Sequence, residues 1–177
     1  MASREIWSHG SGTALQDLLA SILGNLLLQG PSARPVYFSS PWMSDFPLFQ
    51  NHFGEFSALF PDRPDQDQIR FTEFLARLSN HRPVRVITVQ TPTSETFAKS
   101  PTLQSCSAVE IRFAPQTYHE KGVLAPDFYI EGSMNLTYSG VFIRDEKISY
   151  HADGENTPRV TRAYLEFDRL WDGLVPN

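Results

Sequence analysis

Two short stretches of the chain carry residue types suited to phosphoryl chemistry. In "YHEK", His119 and Lys121 stand two positions apart; in "GSMN", Ser133 and Asn135 share that spacing. Side chains two apart on an extended strand point to the same face. Extended backbone here therefore turns His119 and Lys121 one way and Glu120 the other. A hairpin between the stretches returns Ser133 and Asn135 beside them. Lys121, Ser133 and Asn135 then act as donors to oxyanions, and His119 as a nucleophile or an acid–base group. Gly132 permits close backbone approach, a candidate substrate contact. The set suits a phosphate whose negative charge grows in the transition state. It does not suit a divalent metal, because Lys121 repels a cation and no carboxylate cluster accompanies it. No cofactor is implied.

Read as one unit, "HEKGVLAPDFYIEGSMN" resembles the His-Lys-Asp signature of the phospholipase D superfamily: His-x-Lys, an Asp further on, then Gly-Ser-x-Asn. Small nucleases of that superfamily carry a Glu thirteen residues after the serine, which corresponds to Glu146. The resemblance implies a metal-independent phosphodiesterase that works through a phosphohistidine. One histidine attacks phosphorus, and a second protonates the leaving oxygen and then activates water. Lys121, Asn135 and Ser133 would hold phosphoryl oxygens, and Glu146 would orient the imidazole. "SSPW" is also similar to the family; Ser40 and Trp42 are candidate substrate contacts at a strand end, with Trp42 read equally well as core. The spacing departs from the family at Asp127. Five residues separate it from Lys121 and four from Gly132, where the family has four and six. Asp127 is accordingly read as a turn residue after Pro126.

The motif occurs once. His9, His52, His81 and His151 are followed two positions on by Ser11, Gly54, Pro83 and Asp153. The two histidines that the resemblance requires would then come from two copies in a C2 homodimer. "GSMNLTYSG" is further similar to phospholipase D-like proteins encoded with bacterial systems that modify or restrict DNA, including clusters that install 7-deazaguanine bases. That similarity implies a nuclease on DNA and partner proteins of such a modification or defence system. Two readings stand beside it. One is a phosphodiesterase or phospholipase on a small molecule or lipid; the other is a non-catalytic subunit that binds nucleic acid.

Composition sets the frame. With 177 residues, 41% hydrophobic and 20% charged, residues 1–177 are expected to form one domain with a real core. The single cysteine, Cys106, has no internal partner, so a reducing cytoplasm is the expected compartment. Arg4 and Glu5 cancel where a secretion signal would be basic. The apolar run "LLASILGNLLL" is too short to span a bilayer, which argues against a membrane or lipid role. A net charge of −5 does not advertise nucleic-acid binding, although a local basic groove can sit on an acidic protein.

The elements that must position these residues follow from periodicity. Leu15, Leu18, Leu19, Ile22, Leu23, Leu26 and Leu27 make a helical core stripe, capped by Ser11 or Thr13 and ended near Gln29 by Gly30-Pro31. Val36 to Phe38 is a strand that Pro41 ends. Residues 43–60 suggest a loop and short helix, 61–68 a polar connection, and 69–80 a helix. "VRVITV" is a strand, 90–107 a long polar loop with a short helix near Phe97, and "VEIRF" a strand. "KGVLA" and "FYIEG" form the hairpin. A helical turn ending at Ser139-Gly140 leads to a last strand, "KISYH". Val160, Tyr164, Phe167, Leu170 and Trp171 mark a closing amphipathic helix. The order predicts an α/β fold with a mixed β-sheet flanked by helices on both faces, which the resemblance makes a phospholipase D-like α/β/α sandwich.

Overall fold

The computed structural model describes residues 4–7, 13–152 and 157–175. In chain order the elements are β1 (Arg4–Trp7), α1 (Ala14–Leu28), β2 (Val36–Ser39), β3 (Pro47–Gln50), β4 (Gln68–Arg70), α2 (Phe71–Ser79) and β5 (Val84–Val89). Then come α3 (Pro92–Ala98), α4 (Pro101–Gln104), β6 (Val109–Ala114), β7 (Gly122–Ala125), β8 (Phe128–Gly132), α5 (Tyr138–Phe142), β9 (Lys147–Ala152) and α6 (Thr157–Gly173).

A seven-stranded mixed sheet runs β1-β9-β8-β7-β2-β5-β6. Strands β2, β5 and β6 are parallel, and the pairings from β2 through β7, β8 and β9 to β1 are antiparallel. Alternation along each strand divides the apolar residues between the two faces. Val36, Phe38, Val84, Val86, Val123 and Ile130 pack with α1 and α2, where Leu19, Leu23, Phe71 and Phe74 are buried. Tyr37, Ile87, Leu124 and Tyr129 face the other way, onto Val160, Ala163, Tyr164, Phe167 and Trp171 of α6. The helical spacing of those α6 residues places them on one stripe. Helices thus cover both faces of the sheet, as the element order predicts.

Several local expectations change. The strand β1 was not foreseen; it adds to the sheet by pairing Arg4–Trp7 with Lys147–Tyr150. Residues 47–50 are not helical but pair with 68–70, so Ile69 is a strand residue and α2 starts at Phe71. Of the nearby phenylalanines, Phe46, Phe49 and Phe60 are core, whereas Phe53 is exposed. Residues 90–107 hold two helices. Thr91 caps α3 by accepting the Ser94 N–H at 3.2 Å, with Pro92 next in line. Ser139 and Gly140 lie inside α5 rather than at its end. Thr13 precedes α1 without a side-chain cap, its hydroxyl donating to Asp17 at 2.7 Å; Ser11 lies outside the described residues. No helix among the described residues is long and apolar enough to cross a membrane.

Candidate active site

The strand register brings the motif to one end of the sheet. Ser39 pairs with Gly122, Gly122 with Glu131, and Gly132 with Ile148. The C-terminal ends of β2 and β8 therefore meet the N-terminal ends of β7 and β9. Ligands of open α/β sheets favour such an end, where neighbouring connections diverge. The segments leaving it carry Ser40, Trp42, His119, Lys121, Ser133, Asn135 and Glu146.

His119 and Lys121 do not sit on a strand as expected, because β7 begins only at Gly122. What fixes their segment is Tyr118. Its hydroxyl lies 2.5 Å from Ser39 Oγ, and the Ser39 hydroxyl also lies 3.1 Å from the Glu120 carbonyl. Burial pushes the Tyr118 phenol up to about 12, outweighing the opposing hydrogen bond from Ser39. Lys121 turns its ammonium back onto the His119 carbonyl at 3.0 Å. That occupies one of its three N–H donors and leaves two for a ligand.

Ser133 knots the ends of β8 and β9 together. Its backbone N–H donates to the Lys147 carbonyl at 2.9 Å, and its Oγ accepts the Lys147 N–H at 3.0 Å. The hydroxyl proton goes to the carboxylate of Glu146. Glu146 is 7% exposed, so it is a held carboxylate and not a loose surface one. A hydroxyl has one proton; with that proton on Glu146, Ser133 positions Glu146 and leaves donation to an oxyanion to other groups. Gly132 is required here for space. A methyl group on it would run into the Lys147 carbonyl.

Ser40 lies beneath the site and not on its wall, correcting its expected role as a substrate contact. It is fully buried because its hydroxyl serves the backbone of two loops. The hydroxyl donates to the Trp42 carbonyl at 2.7 Å, lies 3.2 Å from Asn135 Oδ1, and accepts the Leu136 N–H at 3.1 Å. Ser40 thus holds the Trp42 backbone and the Asn135 side chain at once. Trp42 is 44% exposed, so it is not core. Its ring centroid is 6.2 Å from that of His119.

His119, Lys121, Gly132 and Ser133 line one cleft of about 360 Å³ with Glu120, Glu131, Lys147 and Ser149. Asn135 and Trp42 belong to a neighbouring cleft. The first cleft carries opposing charges. Arg159 grips Glu131 with two donors, one at 3.0 Å, and His151 Nε2 lies 2.9 Å from the same carboxylate. That pairing offsets the Glu131 charge beside His119 and Lys121, while Glu120, expected to turn away, lines the same cleft and is exposed. Lys147 is tied to Glu5 at 2.7 Å. Asp127 is exposed in the β7–β8 turn, where it accepts from Gln29 at 2.7 Å, as its reading as a turn residue anticipates.

Sequence reasoning missed Tyr118, Lys147 and Tyr138. Tyr118 adjoins the motif, yet its anchor Ser39 is 79 positions away. Lys147 follows Glu146 and reads as an ordinary strand-opening charge. Tyr138 reads as part of a helical turn.

Neither a protein-family profile nor a curated protein sequence matches this chain. Solved structures do. A phospholipase D family member, Nuc from Salmonella typhimurium, matches over 99% of this chain and 97% of its own, with a TM-score of 0.59 at 11% identity. NucT from Helicobacter pylori matches over 99% and 100%, also with a TM-score of 0.59 at 11% identity. Phosphatidylserine synthase from Haemophilus influenzae matches over 99% of this chain and 40% of its own, with a TM-score of 0.58 at 14% identity. The chain has the fold of these proteins, a phospholipase D-like α/β sandwich.

Proposed function

We propose that this chain is a phosphodiesterase of the phospholipase D type, acting on DNA through a site shared by two copies. One observation carries the reading: His119, Lys121 and Ser133 converge on one cleft at the sheet end, with Glu146 held against Ser133. The shared fold of the Salmonella protein supports it.

An imidazole nitrogen of His119 attacks phosphorus, a P–N bond forms, and the P–O bond to the leaving group breaks. His119 of the second copy gives its proton to the departing oxygen. That imidazole then takes a proton from water, whose oxygen attacks phosphorus and releases the first His119. Lys121 and the amide N–H₂ of Asn135 meet the charge that grows on the phosphoryl oxygens. The step needs two imidazoles, and the His-x-Lys motif supplies one per copy. Asp127 stays outside the chemistry.

His119→Ala is expected to lower cleavage of a DNA strand in EDTA by at least a thousandfold, on the scale of losing a nucleophile. Cleavage that survives this change and requires Mg²⁺ would overturn the mechanism. Light scattering is expected to give the mass of a dimer, and an active monomer would remove the shared site. Offering RNA and phosphatidylcholine beside DNA separates this reading from the lipid and small-molecule ones. A folded protein inactive on all of them would be a binding subunit. A role with partner proteins of a DNA modification or defence system belongs to the same proposal and is tested by co-purification from the native host.

A further inference from the structure

The neighbouring cleft measures about 410 Å³, and its walls include Trp42, Ser44, Thr93, Asn135, Tyr138 and Arg144. Single exposed aromatic residues are ordinary on protein surfaces. Here two line one cleft beside the candidate nucleophile, Trp42 at 44% and Tyr138 at 50% exposure. The backbone around both is held in place, and so is the Tyr138 ring. Tyr138 stacks on Phe142 with centroids 4.7 Å apart and planes 21° apart, and its N–H donates to Ser44 Oγ at 3.1 Å. The Ser44 N–H in turn donates to the Leu136 carbonyl at 3.1 Å, and Met43 bridges to Leu136. The loop bearing Trp42 is thereby fastened to the loop bearing Asn135 and Tyr138. The cleft thus combines two exposed aromatic residues with hydroxyl and amide groups.

We propose that this cleft takes an unpaired nucleobase, so that the substrate is single-stranded nucleic acid with its scissile phosphate at His119. The inference rests on the phosphodiesterase reading and adds the form of the substrate. Every base offers a π-face, so fixed aromatic planes bind bases without strong sequence preference. Ser44 and Thr93 offer donors and acceptors to a base edge. The Trp42 ring, 6.2 Å from His119, would place such a base next to the reacting phosphate. A base inside a duplex reaches such a cleft only after unstacking and unpairing.

The test separates binding from turnover by using His119→Ala protein and fluorescence anisotropy. Three probes are compared: a short thymidine strand, a strand of the same length with abasic sugar-phosphates, and a blunt duplex. The thymidine strand is expected to bind about tenfold tighter than the abasic one, the scale of one stacked base. Tyr138→Ala, made in the same background, is expected to abolish that difference while leaving the abasic strand unchanged. Equal binding of the abasic strand or the duplex would overturn the inference, as would a Tyr138→Ala loss shared by both strands. The abasic comparison tests the cleft without altering the protein, so it holds even where Tyr138→Ala fails to fold. If base-dependent binding persists but the unaltered protein cleaves nothing, the catalytic reading fails and the cleft stands. If unaltered protein cleaves duplex and single strand alike, the cleft falls and the catalytic reading stands.

Discussion

Ser133 illustrates how one side chain's bonding redirects a role suggested by residue type. From its neighbours in the motif it is a donor for phosphate, but in the fold its proton is directed to Glu146 and its oxygen receives the Lys147 N–H. Ser133→Ala would leave a nearly buried carboxylate and a backbone N–H without those partners. We predict a loss of about 1.5–3 kcal/mol in urea unfolding, the usual scale of a hydrogen bond to a charged group. Ser133→Thr, which keeps the hydroxyl, is expected to retain most of that stability. An unchanged midpoint for the alanine variant would show that the hydroxyl is not committed to Glu146. Legibility at this scale followed distance along the chain. His119, Lys121, Gly132 and Ser133 were readable because they lie within 15 positions of one another. Ser40 was misread because its role depends on Trp42, Asn135 and Leu136, which only the folded chain gathers around one hydroxyl.

Among the elements, the β7–β8 hairpin was legible and β1 was not, for a physical reason. Both hairpin strands are rich in strand-forming residues, and Pro126-Asp127 supplies the turn. Residues 4–7 are four residues with no alternation long enough to read; β9 supplies the partner that makes them a strand. The β3–β4 pair failed likewise, as a few aromatic and polar residues that look helical in isolation. The β8–β9 junction also makes a prediction of its own. Gly132→Ala would push a methyl group against backbone of β9, which is less able to yield than a flexible side chain. A destabilisation of about 1–3 kcal/mol is expected from such overpacking. Gly30→Ala is the matched control, because a methyl group there meets nothing within 4 Å. Equal thermal midpoints for the two variants would refute the close approach.

For the whole molecule, α6 and the sheet enclose a layer of phenols. Burial raises the pKa of Tyr37, Tyr129 and Tyr164, and that of Tyr118 at the sheet end. Their unfolded values lie near 10. Between about pH 10 and the higher folded values, the unfolded chain loses phenolic protons that the native chain keeps, so stability falls as pH rises. It is fully present below about pH 10, and the contribution of Tyr118 is lost as pH passes about 12. Urea midpoints measured from pH 8 to 11 are expected to be level at first and then to drop, with the tyrosinate absorbance of these four phenols appearing together with unfolding. Ionisation of all the tyrosines near pH 10 in a still-folded protein would contradict the buried layer. Mixed assemblies of unaltered and His119→Ala chains, read by activity against mixing ratio, are expected to follow the fraction of unaltered pairs. Activity that instead falls in simple proportion would mean that each copy works alone.

The pairing of β1 with β9 also bears on synthesis. The ribosome releases the first strand long before its partner at Lys147–Tyr150, and Glu146 and Lys147 arrive with that late segment. Domains complete folding only when their distant contacts have emerged. A nascent chain would therefore carry His119 and Lys121 for some time without the carboxylate and strand that finish their surroundings. We predict that ribosome-bound chains truncated before Glu146 are unable to cleave a single strand that the released protein cuts, so the candidate site is assembled only once β9 has emerged. Cleavage by such stalled chains would show that the late strand is not needed to build the site.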